Sequence, residues 1–505
     1  MASGVVKLSV VGIIILALGI ACIPTFHFVM HTIVSQKLTL SNTSFVYKTW
    51  ANAANSSAHV YLQVWVWDLQ NKHEVLNGAQ PYLMEKGPYT YRESQVKHNI
   101  TFNDNGTVSY APVTKYVFIP EMSIGPESDT YTGLNAPLVI IANLLRTMPS
   151  LVQELGDIIA ELTKDTNLFL TLSIRDIIWG YNDPIFELIY ELTGTSLVPG
   201  PQFGILAGKN NTGWQTFSVF TGETDISKLN IINRWNGQIE LTYWTTSYAN
   251  MINGTDASLN PPFAGLNDPH YVYTAVVCRS LGAQYEKLST VKGIRSNKFH
   301  IPERAFANIS VEPDNVGFCT PDKHHCLPNG LLNISNCQHG SPAVLSFPHF
   351  LYADPSVILP GMRPTKDEHE TFITIHQLTG VTMQAAKRMQ INMHVKADKY
   401  FRQLSAVREV YFPMIWLNES FIIADKDANT FKSTVETPVM ILQVVQYSLI
   451  GIGVLILIVA VISYIRKRSR TKVKRESPSK QQEGQRQSTS QGQEDQENEY
   501  TPLIN

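Results

Sequence analysis

Charged side chains are missing from the two longest apolar runs of this chain. Residues 439–465 contain no Asp, Glu, Lys or Arg, and neither do residues 8–34, which begin directly after Lys7. At about 1.5 Å of rise per residue, each run can cross a hydrocarbon core about 30 Å thick. We therefore predict transmembrane helices at 8–34 and 439–465. A cleaved signal peptide is the alternative for the first run, which has small residues near Ala21.

No N-glycosylation sequon lies outside the segment between these runs. Nine sequons lie within it, at Asn42, Asn55, Asn99, Asn105, Asn210, Asn253, Asn308, Asn333 and Asn418. Because glycans are added in the lumen, we predict a glycosylated luminal ectodomain at residues 35–438. Seven of the ten residues 466–475 are basic, which favours a cytosolic location for that end. The N-terminus 1–7 and the tail 466–505 are then both cytosolic.

Motifs of the common hydrolases and nucleotide-binding enzymes are also missing. His369 and Glu370 lack the second His of H-E-x-x-H, and neither G-x-S-x-G nor G-x-x-x-x-G-K-S/T occurs. His349 and the acids near His369 are therefore interpreted as structural or surface groups. Acidic residues outnumber basic ones between the apolar runs, which excludes a nucleic-acid-binding surface. We predict no enzyme activity, no cofactor and no nucleic-acid partner.

Cysteine is scarce, with five residues in 505. Cys22 lies in the first apolar run, and the ectodomain holds Cys278, Cys319, Cys326 and Cys337. An even number in an oxidising compartment predicts two disulfides, for which three pairings are open. Zinc is the rival interpretation, because His324, His325 and His339 lie nearby, but neither C-x-x-C nor H-x-x-x-H spacing occurs. We therefore predict no metal site.

Strand patterns occur at residues 61–67, 238–245 and 390–396, which alternate or run continuously in β-branched and aromatic residues. In the last segment, the pattern places Ile391, Met393 and Val395 opposite Asn392, His394 and Lys396. These segments predict a large antiparallel sheet or barrel.

Helical periodicity replaces this pattern between residues 137 and 192. One apolar stripe consists of Leu151, Leu155, Ile158 and Leu162, and a second helix is predicted to begin at Asp183 and Pro184. The stripe is a candidate partner-binding surface, and packing against a neighbouring helix is the alternative. An α+β domain with a helical apex follows.

The chain resembles the class B scavenger receptors over nearly its whole length except the tail. The matching segments, in family order, are residues 87–93 (GPYTYRE), 179–181 (WGY), 220–222 (FTG), 250–256 (NMINGTD), 278–280 (CRS), 317–319 (GFC), 347–350 (FPHF), 369–372 (HETF) and 386–392 (AKRMQIN). Within that family the chain is most similar to a lysosomal membrane member. The resemblance implies a two-span protein with a β-barrel ectodomain, an apical helix bundle and an apolar tunnel. It also implies the pairings Cys278–Cys337 and Cys319–Cys326.

Two functions follow from the resemblance. One is binding and conduction of lipid, either cholesterol or phospholipid, through the tunnel of a lysosomal receptor. The other is delivery of a lysosomal hydrolase such as glucocerebrosidase. A plasma-membrane lipoprotein receptor is disfavoured by the tail.

The tail ends in an acidic dileucine pattern formed by Glu499, Leu503 and Ile504, which clathrin adaptor complexes read. Tyr500 opens an overlapping tyrosine-based pattern. Residues 476–498 contain no aromatic residue, and we predict that the whole tail, 466–505, is disordered. The tail contains no cysteine, which excludes palmitoylation there. We predict sorting to lysosomes, with possible transit through late endosomes and the plasma membrane.

Histidine is absent between His98 and His270. The resembled hydrolase receptor uses a histidine on its apical helices for release in acid, and this chain offers no candidate there. Carboxylates such as Glu154, Asp157 and Glu161 could titrate instead. The lipid function is therefore preferred to the hydrolase function.

Overall fold

The computed structural model describes residues 2–52, 58–147, 161, 163–193, 200–267, 269–398 and 400–475. The chain divides into two compact units, one formed by residues 1–30 and 437–505 and the other by residues 31–436. The helices are α1 (Ala2–Leu38), α2 (Phe45–Ala51), α3 (Lys72–Leu76), α4 (Ala136–Thr147), α5 (Ile174–Trp179), α6 (Pro184–Thr193), α7 (Ser247–Asn250), α8 (Lys366–His369), α9 (Asp425–Phe431) and α10 (Thr437–Arg475). A π-helical turn, Lys432–Glu436, lies between α9 and α10.

The strands are β1 (Val60–Leu69), β2 (Leu83–Asn103), β3 (Thr107–Phe118), β4 (Thr130–Leu134), β5 (Phe169–Ser173), β6 (Tyr181–Asn182), β7 (Gln202–Phe203), β8 (Phe217–Phe220), β9 (Ile232–Trp235), β10 (His270–Thr274), β11 (Arg279–Val291), β12 (Ile294–His300), β13 (Leu332–Asn333), β14 (Ala343–Ser346), β15 (Phe372–Ile375), β16 (Thr382–Val395) and β17 (Val410–Ile422).

The first unit contains most of α1 and α10. Both helices are long and apolar enough to cross a membrane, with mean hydropathy of 2.6 and 2.7 in their most apolar windows. Glycines allow close packing: Gly19 faces the backbone of Ile450, and Gly453 faces that of Leu16. The two terminal helices fit a two-pass membrane protein. The second helix continues to Arg475, past the end of the apolar run at 465 and into the segment predicted to be disordered.

The second unit is built on a 13-stranded antiparallel sheet. Its strand order is β10-β11-β12-β15-β16-β17-β1-β2-β3-β8-β9, and β14 pairs with both β13 and β16. The predicted strands at 61–67 and 390–396 are confirmed as parts of β1 and β16. Seven of the ten pairings in this order join consecutive strands, whereas β12–β15, β17–β1 and β3–β8 join strands far apart in the chain, so no single segment predicts the whole order.

The segment around Gly254 joins the two ends of this sheet. Gly254 O accepts from Ile232 N of β9 (2.9 Å), while Thr255 N donates to Tyr271 O of β10 (3.1 Å). Gly254 has φ +84°, and a Cβ there would lie 1.8 Å from Tyr271 O, so only glycine fits. The next residue, Asp256, accepts from Tyr110 Oη (2.9 Å). These contacts close the sheet into a barrel.

The helical apex follows the prediction where the structure describes it. The helix expected at Pro184 is confirmed as α6, with Asp183 Oδ1 accepting from Ile185 N (3.0 Å). The apex also contains α4, the two-stranded sheet β4–β5 and α5. The stripe Leu151, Leu155, Ile158 and Leu162 lies outside the described residues, as do Glu154 and Asp157.

One local strand prediction was wrong. Residues 238–245 form a loop, because Leu241 N donates to Asn250 O (2.8 Å) and Trp244 packs inward. In β16 the alternation holds, since β14 pairs with it in continuous register. The face that carries Asn392 is covered as well: Asn392 is fully buried, and its amide donates to Val344 O of β14 (3.0 Å).

Candidate functional site

The inner face of the barrel carries two apolar clusters with a polar level between them. Register places Lys387 of β16 opposite Glu419 of β17, and Glu419 opposite Leu62 of β1. Because side chains alternate along a strand, every second residue from these positions lines the same face. Toward the apex that face packs into one core cluster, which includes Leu62, Val64, Tyr91 and Ile415. Toward the other end it packs into a second cluster, which includes Met383 and Ile423.

Charged groups occupy the level between the clusters. Lys387 Nζ and Glu419 Oε2 form an ion pair. Glu93 of β2 points to the same level, and its strand neighbour is Tyr116 of β3. We call Glu93, Tyr116, Lys387 and Glu419 the interior polar cluster.

Six inner-face side chains at this level are only half-buried, although Leu62 and Met389, which lie opposite Glu419 and Leu417, are buried. The half-buried residues are Glu93, Ala385, Lys387, Leu417, Glu419 and Phe421. Lys387 and Glu419 retain 34% and 33% side-chain exposure. The Glu93 carboxyl makes no hydrogen bond to any described residue. Accessible polar surface on the inner face of a closed barrel means that space for water or a ligand lies between the apolar clusters.

Burial sets the protonation of this cluster. Desolvation, reinforced by the negative charge of Glu419 and opposed by Lys387, raises the pKa of Glu93 to about 8. Desolvation acts to lower the pKa of Lys387, but Glu419 and Glu93 outweigh it and raise that pKa. Glu93 is therefore mostly protonated at neutral pH and below, while Lys387 and Glu419 form an ion pair.

The opposite, outer face carries a cluster of histidines that the sequence motifs contained but did not reveal. His349 and His369 are buried and stack at 4.1 Å between ring centroids. His349 Nε2 lies 3.0 Å from Glu85 Oε1, which also accepts from the indole of Trp416. We call His349, His369, Glu85 and Trp416 the histidine cluster.

Backbone donors fix the tautomers of both imidazoles. Arg363 N donates to His349 Nδ1 (3.0 Å), and Thr365 N donates to His369 Nδ1 (2.9 Å). Each ring is therefore neutral with its proton on Nε2. Desolvation is the largest cause that lowers the pKa of His369, to about 4. Protonation of either Nδ1 would place two donors against each other and release residues 363–365.

The described cysteines of the ectodomain form two disulfides, Cys278–Cys337 and Cys319–Cys326, which is the pairing that the resemblance implies. Beside them, Arg279 lies 3.5 Å from the ring centroid of Phe318, and its Nη1 donates to Ala305 O (2.7 Å). Desolvation lowers the pKa of Arg279 to about 9. No group of three or more metal-ligating side chains occurs among the residues described. This region forms a cross-linked structural support.

The predicted glycosylation sites differ in exposure. Asn42, Asn99, Asn105 and Asn210 are exposed, Asn253, Asn308 and Asn333 are half-buried, and Asn55 lies outside the described residues. Asn418 differs from all of these. It is 9% exposed in a central strand, and its Nδ2 donates to Gln63 Oε1 (3.0 Å). A glycan on that nitrogen would have to displace this hydrogen bond.

The predicted sorting residues Glu499, Leu503 and Ile504 also lie outside the described residues. The interior polar cluster was missed from the sequence, although Glu93 and Lys387 belong to the matching segments 87–93 and 386–392. Which charged side chains face each other across four strands depends on the register between those strands. The residue pattern of one strand contains no information about that register.

Two terminal helices able to cross a membrane and a closed antiparallel barrel define the class, a two-span membrane protein. A sequence profile of the CD36 family matches residues 10–464. The chain is 33% identical over 448 residues to scavenger receptor class B member 1 of Mus musculus, covering 88% of this chain and 86% of the relative. It is 35% identical over 427 residues to lysosome membrane protein 2 of Homo sapiens, covering 83% and 86%.

The chain therefore belongs to the CD36 family of class B scavenger receptors.

Proposed function

We propose that this protein binds lipid, either cholesterol or phospholipid, inside the barrel and conducts it toward the membrane that its terminal helices span. The observation that carries the proposal is the half-buried inner-face level between two apolar clusters. Apolar walls hold acyl or ring systems out of water, and an open level between them provides room for passage. Transport of this kind breaks no covalent bond, which agrees with a sequence that contains no H-E-x-x-H, G-x-S-x-G or G-x-x-x-x-G-K-S/T motif.

A blocking substitution tests this proposal. Ala385 is half-buried on the inner face, and its neighbour Gln384 is half-buried on the outer face. Ala385→Trp should fill the open level and abolish binding of a fluorescent sterol or phospholipid by the purified full-length chain. Gln384→Trp adds the same volume outside the barrel and should leave binding unchanged. Equal binding by both variants would contradict an interior path.

A lysosomal location with both termini cytosolic is part of the proposal. The tail pattern Glu499, Leu503 and Ile504 supports it, and so does the likeness to a relative named lysosome membrane protein 2. Changing Leu503 and Ile504 to Ala removes both aliphatic contacts to a clathrin adaptor complex, and it should move the protein to the cell surface. Unchanged lysosomal staining of this double variant would reject the signal. Strong surface staining of the unaltered chain would favour a plasma-membrane lipoprotein receptor.

A second candidate function is delivery of a lysosomal hydrolase such as glucocerebrosidase. No sequon lies between Asn105 and Asn210, so glycans are not expected on the helical apex. A glycan-free apex supports a protein-binding surface there. Without a histidine in that region, we expect binding to persist to about pH 6 and to weaken near carboxylate pKa values of about 4 to 5. A pull-down of lysosomal hydrolases at neutral and acidic pH tests this, and a midpoint near pH 6.5 would assign the switch to a histidine elsewhere.

A further inference from the structure

We propose that the interior polar cluster is a selective subsite, in which Glu93, Lys387 and Glu419 bind the hydroxyl head of an uncharged amphiphile and exclude charged heads. This inference rests on the proposed lipid function and narrows it. Of the two lipids proposed, cholesterol has an uncharged hydroxyl head and is accepted at this level of the path, whereas phospholipid has a charged head and is excluded.

Position is the first argument for a subsite. The polar cluster lies between the apolar cluster around Leu62 and the one around Met383. A buried charged group at such a level is costly unless it is paired or solvated. Lys387 and Glu419 satisfy each other, but the Glu93 carboxyl has no hydrogen-bond partner among the residues described. An occupant with one polar head and an apolar body would meet both requirements.

Charge balance is the second argument, and it decides the kind of head. With Glu93 protonated, the remaining charges of Lys387 and Glu419 cancel. A charged head would lose its hydration without gaining a free counter-ion. The next ionic groups along the inner face, Lys97 and Asp256, are 3.9 Å apart and already paired, so they offer no counter-ion either.

Hydrogen bonding is the third argument. A protonated carboxyl has one O–H donor and further acceptor capacity, and a hydroxyl head has the same combination. The two groups can therefore exchange a pair of hydrogen bonds. Tyr116, whose pKa is raised by desolvation and by Glu93 and Glu419, keeps its proton and adds a second donor at this level. A carboxylate head would instead meet the negative charge of Glu419.

Three probes of equal chain length separate these chemistries: a straight-chain alcohol, the matching carboxylate and the matching amine. Each is titrated at pH 5.5 onto the full-length protein in nanodiscs, with empty nanodiscs as background. We expect the alcohol to bind most tightly. Glu93→Leu removes the polar partner and should weaken alcohol binding by roughly tenfold. Gln384→Leu, on the outer face, is the control and should leave it unchanged.

The pH dependence provides a second readout that a loss of folding would not imitate. Raising the pH above 8 ionises Glu93 and should weaken alcohol binding to the unaltered chain. In Glu93→Gln, which cannot ionise, this pH dependence should disappear. Glu419, Lys387 and Tyr116 face Glu93 in both proteins, so any titration of theirs would remain.

The failure of this inference differs from the failure of the proposed function. Tightest binding of the carboxylate or amine, or alcohol binding unaffected by Glu93→Leu but abolished by Ala385→Trp, would overturn the subsite alone. Binding of none of the probes, together with no binding of sterol or phospholipid, would overturn the proposed lipid function.

Discussion

The two faces of the barrel wall each carry a cluster of ionisable side chains, and the clusters respond to protons in opposite directions. On the inner face, burial gives Glu93 a pKa raised to about 8. On the outer face, burial gives His369 a pKa lowered to about 4. The same desolvation favours the neutral form of each group. Neutrality means a bound proton on the carboxyl and no added proton on the imidazole.

The difference determines how each face affects stability. Glu93 has an ordinary pKa of 4.5, so its contribution to folding stability is fully present below pH 4.5 and is lost as the pH rises through about 8. His369 has an ordinary pKa of 6.5, so its contribution is fully present above pH 6.5 and is lost as the pH falls through about 4. As the pH falls, the folded chain thus gains stability from its inner face and loses it from its outer face.

A substitution that opens the barrel is expected to have the largest effect on stability, because both clusters lie on the barrel wall. Gly254→Ala places a Cβ against the Tyr271 carbonyl and should disrupt the junction between β9 and β10. We expect failure to leave the endoplasmic reticulum and loss of the cooperative thermal transition. Gly237 also has a positive φ, +78°, but no atom within 4 Å of its added Cβ. Gly237→Ala should therefore lower the free energy of unfolding by only about 1 to 3 kcal/mol. Equal defects would attribute the effect to backbone strain alone.

Replacing the titrating carboxyl of Glu93 on the inner face is expected to have the next largest effect on stability. Glu93→Gln keeps a neutral, hydrogen-bonding side chain and should raise the thermal midpoint at pH 8 by a few degrees, with little change at pH 5. The wild-type midpoint should show the corresponding decline with rising pH. Glu223→Gln, at an exposed position, serves as control. A midpoint difference that is the same at both pH values would show that Glu93 does not titrate in this range.

The outer face is tested by His369→Asn, whose amide oxygen can replace Nδ1 as acceptor for Thr365 N but cannot titrate. We expect the loss of thermal stability between pH 6.5 and 4.5 to become smaller. Hydrogen exchange at residues 363–365 should rise in acid in the unaltered chain and rise less in the variant. Since His98 is exposed, His98→Asn should change neither readout. If His369→Asn loses as much thermal stability in acid as the unaltered chain does, protonation of His369 is not the cause of that loss.

Glycan occupancy gives the smallest effect and separates exposed from buried positions of the sheet. Asn105→Gln should lower the apparent mass by one glycan, because Asn105 is exposed at the β2–β3 hairpin. Asn418→Gln should leave the mass unchanged, because Asn418 is buried against Gln63. Mass spectrometry of tryptic glycopeptides distinguishes the two, and a glycan found on Asn418 of the folded protein would contradict this packing.

Local signals predicted local structure well. Asp183 and Pro184 begin α6 as expected, and the alternation at 61–67 forms β1. The pattern at 238–245 failed because its apolar residues pack into a loop held by Asn250, a tertiary contact that a strand pattern does not contain. The burial of Asn392 was not predicted, because it depends on contacts with β14, which is distant in sequence.

The candidate site was less predictable than the fold. Barrel closure at Gly254 depends on hydrogen bonds to both β9 and β10, which follow each other in sequence but lie at opposite ends of the sheet order. Glu93 and Lys387 come together only after β2, β1, β17 and β16 have paired in register. Their unusual protonation then follows from depth within the barrel, a property of the folded chain alone.

Photocrosslinking tests most directly whether the barrel interior is a lipid path. The full-length chain in nanodiscs is irradiated with an uncharged, diazirine-bearing amphiphile, and labelled peptides are mapped by mass spectrometry. Labels should fall on inner-face positions of β16 and β17, including Ala385 and Leu417, and should disappear in Ala385→Trp. Labelling confined to α1, α10 and outer-face residues such as Gln384 would contradict an interior path.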